Sequence, residues 1–434
     1  MSSPREYPSD SDRRVIQGLV ARNYDRMKAV SHIVLRVKHV PLAKEFIEKC
    51  IPRIAAADDD GAESCLNLGF TFQGLSAFLD KDHIEALAKK RELQTFVKGA
   101  VDGAALVGDV DLSAPRTWKD GLGKPANVHV VLSLYAESSM LLYKEVEKIR
   151  TAAGPGFDVI SLSPGSELPD GRIHFGYKDG ISQPNITGLR NNGDKQPPTP
   201  AGAFVLGYPS QFSGHIYDYD FPAQLGFNGT FSAFRIMKQD VRRFDEYLTE
   251  HSSPAVSREL VAARLCGRWR DGTPLVISET VPGNNPTNDF EYEGKPDSVC
   301  PFSSHVRRCN PRDDRVAGLS GRKHRIVRST MPYGSPYEAA NKDYIEGAPN
   351  YQERGLLGHF LCVNLTDQFE FIMKNWVMRG GFNGNLPATN TDPLIGLQTF
   401  VQTRGAAYCF LPSKVGLQYL VDVGTNVSST SGGL

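Results

Sequence analysis

Apolar residues along this chain fall into two similar successions of short runs. In the first, Ser31–Val37 is strand length and Leu42–Ala55 spaces its apolar residues as an amphipathic helix does. Leu66–Phe72 returns to a strand pattern, Leu75–Phe78 starts a helix, and Val128–Tyr135 is a further strand. In the second succession Thr230–Ile236 predicts a strand, Val241–Glu250 a helix, Gly355–Leu365 a long strand and Gln368–Val377 a helix. Strands and helices alternate with similar spacing in both halves. This predicts an α+β chain of two lobes, each a sheet with helices packed on one side.

The punctuation changes between the runs. Asn191–Gly202 and Tyr208–Phe221 are rich in turn formers, and Gly272–Arg315 is long and irregular. Such a long loop in a compact chain is usually either functional or disordered. A division into residues 1–200 and 201–434 follows, with a tail beyond Gly424 whose composition predicts disorder.

Composition removes several function classes. The 434 residues carry 49 Lys and Arg against 49 Asp and Glu, so the formal charge is zero. Neither a nucleic-acid binder nor a polybasic membrane-surface protein is expected from that balance. No run approaches the ~18 apolar residues of a membrane span. The first residues lack the pattern of a secretory leader, so a cytoplasmic location is expected unless a leader has been removed. Seven cysteines, an odd number with no CxxC spacing, argue against zinc ribbons and thioredoxin-like chemistry and read as small core residues. Sequons at Asn185, Asn228, Asn364 and Asn426 matter only in a secreted chain.

Three segments could carry chemistry. Gly171–Asn185 contains a tight Gly176-x-x-Asp179-Gly180 turn, in which Asp179 is either an aimed carboxylate or a turn residue bonding its own backbone. Cys300–Arg315 places His305 before Arg307, Arg308, Arg312 and Arg315. Like charge should keep that imidazole neutral, the form that binds a metal; the arginines either pair with an anionic ligand or form a solvated basic loop. His324–Gly334 embeds Arg328 in an apolar stretch, where it needs an anion or carbonyls.

In this order, GxxDG, a distant His in PFSSHVRR and an Arg in IVRSTMPYG resemble the dye-decolorising peroxidase family of haem proteins. Leu66–Leu79, Val128–Ala136, Phe204–Pro209, Gly267–Leu275, Gly355–Trp376 and Asp392–Gly396 look like that family's other recurring segments. The resemblance implies two ferredoxin-like α+β domains in a dimeric α+β barrel-like arrangement, with one haem b per chain held mainly by the C-terminal domain. His305 matches the axial iron ligand, and Asp392 is the candidate carboxylate behind its second ring nitrogen. Asp179 matches the distal acid and Arg328 the distal arginine. Arg312 matches a propionate-binding arginine, and Gln183 is placed over the same haem edge. Trp376 and Tyr333 are the candidates for surface electron transfer to bulky donors.

The implied activity is reduction of hydrogen peroxide to water through a ferryl state, with oxidation of aromatic donors such as dyes and phenols. The alternative is a haem-binding or haem-trafficking protein with incidental peroxidase activity. A chlorite-degrading haem enzyme is disfavoured by the GxxDG acid. No nucleic acid or membrane partner is implied, and a homodimer is left open. Asn185, beside the proposed haem wall, should carry no glycan.

Overall fold

In the computed structural model, which describes residues 5–21, 24–59, 62–119, 121–316, 319–337, 351–378 and 398–424, the first apolar run forms β1 (Ala29–Val37). All but its last two residues are buried, because both faces of the strand are covered. Helix α1 (Val40–Cys50) follows, with Pro41 in its first turn and His39 accepting the Leu42 N–H. The helix gives way to a tight turn at Ile51, where Pro52 follows, and so stops short of Ala55. Next come β2 (Ser64–Phe70), β3 (Val130–Ala136), α2 (Ser139–Ala153) and β4 (Phe157–Ser166). Strand β2 ends before Thr71, which caps a short helix by accepting the Gly74 N–H.

The second half opens with β5 (Thr230–Gln239), α3 (Val241–Glu250) and α4 (Arg258–Cys266). A long irregular stretch then leads to the short α5 (His305–Cys309) and to β6 (Val327–Tyr333). β7 (Gly355–Cys362) precedes α6, a wide helix in two stretches, Leu365–Glu370 and Ile372–Val377. Its last turn closes through Met378 N–H to Met373 O, five residues back, at 2.8 Å. Asn364 caps this helix, which is why the preceding strand cannot reach Leu365. β8 (Val401–Leu411) and α7 (Lys414–Asp422) complete the chain.

These eight strands form one antiparallel sheet, ordered β4-β1-β3-β2-β8-β5-β7-β6, apart from a two-stranded pair at Arg315–Val316 and Leu319–Ser320. Each half has its fourth, first, third and second strands in that sequence, the ferredoxin-like order. The halves join through Phe70 and Phe410. The two outer strands also approach each other: a Cβ on Gly165 of β4 would lie 2.7 Å from the Pro332 carbonyl of β6. Pro164 and Pro332 lack the N–H a ladder needs, so these edges abut without a regular ladder. The sheet is thus barrel-like.

Inside it runs a buried chain of hydroxyls and imidazoles. Ser232 Oγ meets His359 Nδ1, His359 Nε2 meets Ser133 Oγ, and Ser133 Oγ meets His32 Nδ1, each at 2.8 Å. Burial pushes His359 down to about 3 and lowers His32 as well, so both rings are neutral. Among the described residues no helix is long and apolar enough to cross a membrane.

Two connections carry the candidate chemistry. One joins β4 to β5 and contains the GxxDG turn; the other joins β5 to β6 and contains α5.

Candidate active site

The GxxDG turn is built on two left-handed glycines, Gly176 (φ +88°) and Gly180 (φ +77°). A side chain on Gly176 would also press on Arg270, 3.2 Å away. The turn is tied to the second half. Arg172 Nη1 donates to the carbonyls of Gly176 (2.7 Å) and Arg270 (3.0 Å). Lys178 N–H donates to Arg270 O at 3.1 Å, and Tyr177 OH to Ala262 O at 2.6 Å. Asp179 N–H donates to Gly171 O at 3.1 Å, which fixes the residue by its backbone. Its carboxylate is exposed and has no hydrogen-bond or ion-pair partner among the described residues. It is therefore not a turn residue bonding its own backbone.

Arg328 lies on the edge strand β6, paired on one side with Phe360 of β7. On the open side Gln183 stands in for a missing strand. Its Nε2 donates to Arg328 O (2.6 Å) and its Oε1 accepts from Arg328 N–H (3.3 Å). The guanidinium is held by Ser182 O (2.5 Å), whose hydroxyl in turn accepts from Arg268 (2.8 Å). Gln183, which the resemblance places over a haem edge, has its amide engaged by the Arg328 backbone.

His305 begins α5, behind the fully buried Ser304. The ring is accessible to solvent although protein surrounds it on most sides. The charges of Arg328 and Asp179 both act on it. Its Nδ1 lies 3.7 Å from Cys309 Sγ, and this sulfur raises the imidazole pKa against burial and Arg328. The sequence expectation of a ring kept neutral by its neighbouring arginines is therefore corrected. Arg307 is turned away to Asp314 (2.8 Å) and Cys300 O (2.7 Å), and Arg308 to Trp376 O.

Arg312, buried with φ +54°, donates to Asn288 O (3.1 Å), Phe290 O (3.0 Å) and Asn288 Oδ1 (2.6 Å). Three further buried arginines went unnoticed in the sequence. Arg268 donates to Gly272 O and Thr287 O, both at 2.7 Å. Arg190 has both terminal nitrogens buried without a partner, and Arg325 its Nε. Burial lowers each of these three to about 10. Among the described residues no carboxylate lies within ion-pair distance of Arg190, Arg268, Arg312, Arg325 or Arg328. Only the run of arginines at 307–315 hinted at this surplus of positive charge.

Asp392 lies outside the described residues. Trp376 is corrected as a surface residue: it is 3% exposed, packed edge-on against His324 and Phe371. Tyr333 is half-buried, and its hydroxyl donates to Glu353 Oε1 at 3.0 Å.

No family profile matches the chain. A dye-decolorising peroxidase of Mycena epipterygia is 29% identical over 395 residues, covering 84% of this chain and 69% of its own length. The dye-decolorising peroxidase AauDyP1 of Auricularia auricula-judae is 31% identical over 303 residues, 62% of this chain and 56% of its own. A solved dye-decolorising peroxidase variant bound to cyanide superposes with a TM-score of 0.80 at 25% identity, over 94% of this chain and 99% of that one. The chain belongs to the dye-decolorising peroxidase family.

Peroxidases of this family use haem. The residues of this peroxidase fit that group on two counts. His305 has a ring nitrogen left to bind a metal. The buried nitrogens without partners, both Nη of Arg190 and Nε of Arg325, need anions, and two propionates are carboxylates of the right sign.

Proposed function

We propose that this peroxidase holds one haem b per chain, whose iron His305 Nε2 would bind and whose propionates Arg190, Arg312 and Arg325 would hold. It reduces hydrogen peroxide to water and oxidises aromatic donors. The observation that carries the reading is the unpartnered Asp179 carboxylate and the Arg328 guanidinium fixed by Ser182, whose charges both act on His305.

The haem, when bound, supplies the metal at which peroxide is reduced. The chain supplies proton transfer and charge. Asp179 would take one proton from hydrogen peroxide and return it to the oxygen that departs as water. Arg328 stabilises the negative charge that gathers on that oxygen. Ser182 fixes the guanidinium, and Gln183 fixes the strand beneath it. Neither is itself a proton donor in the reaction.

Phenols and dyes suit the donor side. One solved relative is a complex with 2,6-dimethoxyphenol, at 25% identity and a TM-score of 0.78. Tyr333 offers a route for donors too large to enter. Its phenol proton can pass to Glu353 when the ring is oxidised and return when a donor reduces it. Trp376 serves only as an interior relay.

The test is Asp179→Ala in the haem-loaded enzyme. The rate at which one equivalent of peroxide changes the Soret band should fall by ~10²–10⁴, while the resting ferric spectrum is retained. An unchanged rate would overturn the assignment.

A further inference from the structure

Among the described residues the Arg328 guanidinium has one hydrogen-bond partner, the Ser182 carbonyl at 2.5 Å. Residues 181–185 belong to no helix or strand, so this carbonyl is only as fixed as the contacts that hold its loop. Arg268 supplies one of them: its Nη2 donates to Ser182 Oγ at 2.8 Å. Arg268 is 4% exposed, and its Nη1 holds Gly272 O and Thr287 O, both at 2.7 Å. One arm of the guanidinium fork thus closes its own loop and the other reaches Ser182.

The turn that presents Arg268 also touches the other side of the site. Gly267 is left-handed (φ +91°), and a Cβ there would lie 2.3 Å from Val306 Cγ2 and 2.8 Å from Ser304 Oγ, on the two neighbours of His305. Trp269 N–H to Thr273 O (2.9 Å) and Leu275 N–H to Gly267 O (3.1 Å) close the turn. The start of α5 therefore packs on its Gly267 face, while its Arg268 arm holds the loop that anchors Arg328.

Resting on the roles proposed above for His305 and Arg328, we infer that Arg268 is a positioning residue: through Ser182 it sets where the Arg328 guanidinium stands relative to His305. A lysine keeps the charge, but its single nitrogen cannot take the places of both Nη1 and Nη2. Ser182→Ala breaks the same link with no change of charge and leaves the carbonyl itself in the chain.

The experiment compares haem-loaded wild type, Arg268→Lys, Ser182→Ala, Ser182→Thr and the double variant Arg268→Lys/Ser182→Ala, each also made in an Arg328→Ala background. The readouts are the affinity of the ferric enzyme for cyanide, the rate of the peroxide step, both followed at the Soret band, and Tm. Arg268→Lys and Ser182→Ala should each weaken cyanide binding and slow the peroxide step several-fold. Ser182→Thr, which keeps the hydroxyl, should retain both. The double variant should lie within about twofold of the more impaired single variant, because both changes break one link. Without Arg328, neither change should have a further effect on cyanide or peroxide. A fall in Tm with cyanide affinity and peroxide rate unchanged would overturn the inference, as would effects that multiply in the double variant or persist without Arg328. Should Arg268→Lys not fold, Ser182→Ala with and without Arg328 decides the matter. If Arg328→Ala alone leaves both readouts at the wild-type level, the role given to Arg328 fails, and the inference with it.

Discussion

Gln183→Leu separates the two things that the Gln183 side chain does: sealing the edge of β6 and holding Arg328 in place. Leucine keeps much of the volume but removes both bonds to the Arg328 backbone, of 2.6 Å and 3.3 Å. A buried backbone group left unpaired costs about 1–3 kcal/mol. The longer bond is the weaker, so the pair sums to about 2–4 kcal/mol. At roughly 2.1 cal/mol/K per residue, the 434 residues give an unfolding entropy of about 0.9 kcal/mol/K, so Tm should fall by only about 2–4 °C. The catalytic effect should be larger than that modest loss suggests. Deleting a preorganised charge-stabilising group costs about 10²–10³ in rate. Displacing Arg328 rather than deleting it should cost about tenfold. Thermal melts of the haem-loaded protein and stopped-flow mixing with peroxide give the two numbers. If Tm drops as worked here while the peroxide rate stays within about twofold of wild type, Gln183 only plugs the edge and the positioning argument fails.

Other consequences can be checked independently. His359 binds a proton near pH 3 when folded but near 6.5 when unfolded, so acid favours the unfolded chain. Stability should be complete above about pH 6.5 and fall by about 2 kcal/mol at pH 5. His359→Gln should flatten that slope, and equal slopes would exclude this ring as the cause. Tyr333→Phe should slow the oxidation of bulky dyes several-fold and spare both small phenols and the peroxide step; equal loss on all three would argue against a surface route. Asn185 donates to Asp194 and Gln196 O, Asn228 to Asp12, and Asn364 to Asp367, all from buried side chains. Routed through a secretory pathway, the chain should carry no glycan at these three positions, which mass spectrometry of the peptides would check.

Much of this was written in local pattern. Strands β1, β3 and β5 are mainly apolar runs with isolated polar residues, and Asp179, His305 and Arg328 sit in compact motifs whose order alone suggested a common site. The elements missed were those with diluted signals: β4 carries Pro164 and Gly165, and β8 passes through Gly405, Ala406 and Ala407. In α2 a buried Glu145 interrupts the apolar face, tolerable only because Arg53 and Lys148 reach it from outside the apolar pattern. Arg190 and Arg325 look like ordinary surface arginines until the fold buries them with guanidinium nitrogens left unpaired. Cys309 was legible as a small core residue, and only the turn of α5 brings it to His305. Trp376 was read as a surface ring because part of its cover, His324, comes from outside its own helix.

The meeting of β4 and β6 bears on how this protein survives its own surroundings. An open eight-stranded sheet offers two rows of bare amides to any stray strand, the usual seed of aggregation and domain swapping. Here the two rows face each other, each carries a proline, and Gln183 occupies the stretch around Arg328. An unfolding event that begins at Gln183 would therefore expose the one adhesive edge of the molecule and disable Arg328 together. Damaged molecules should lose activity before they begin to clump, leaving an interval in which they can be cleared as soluble protein.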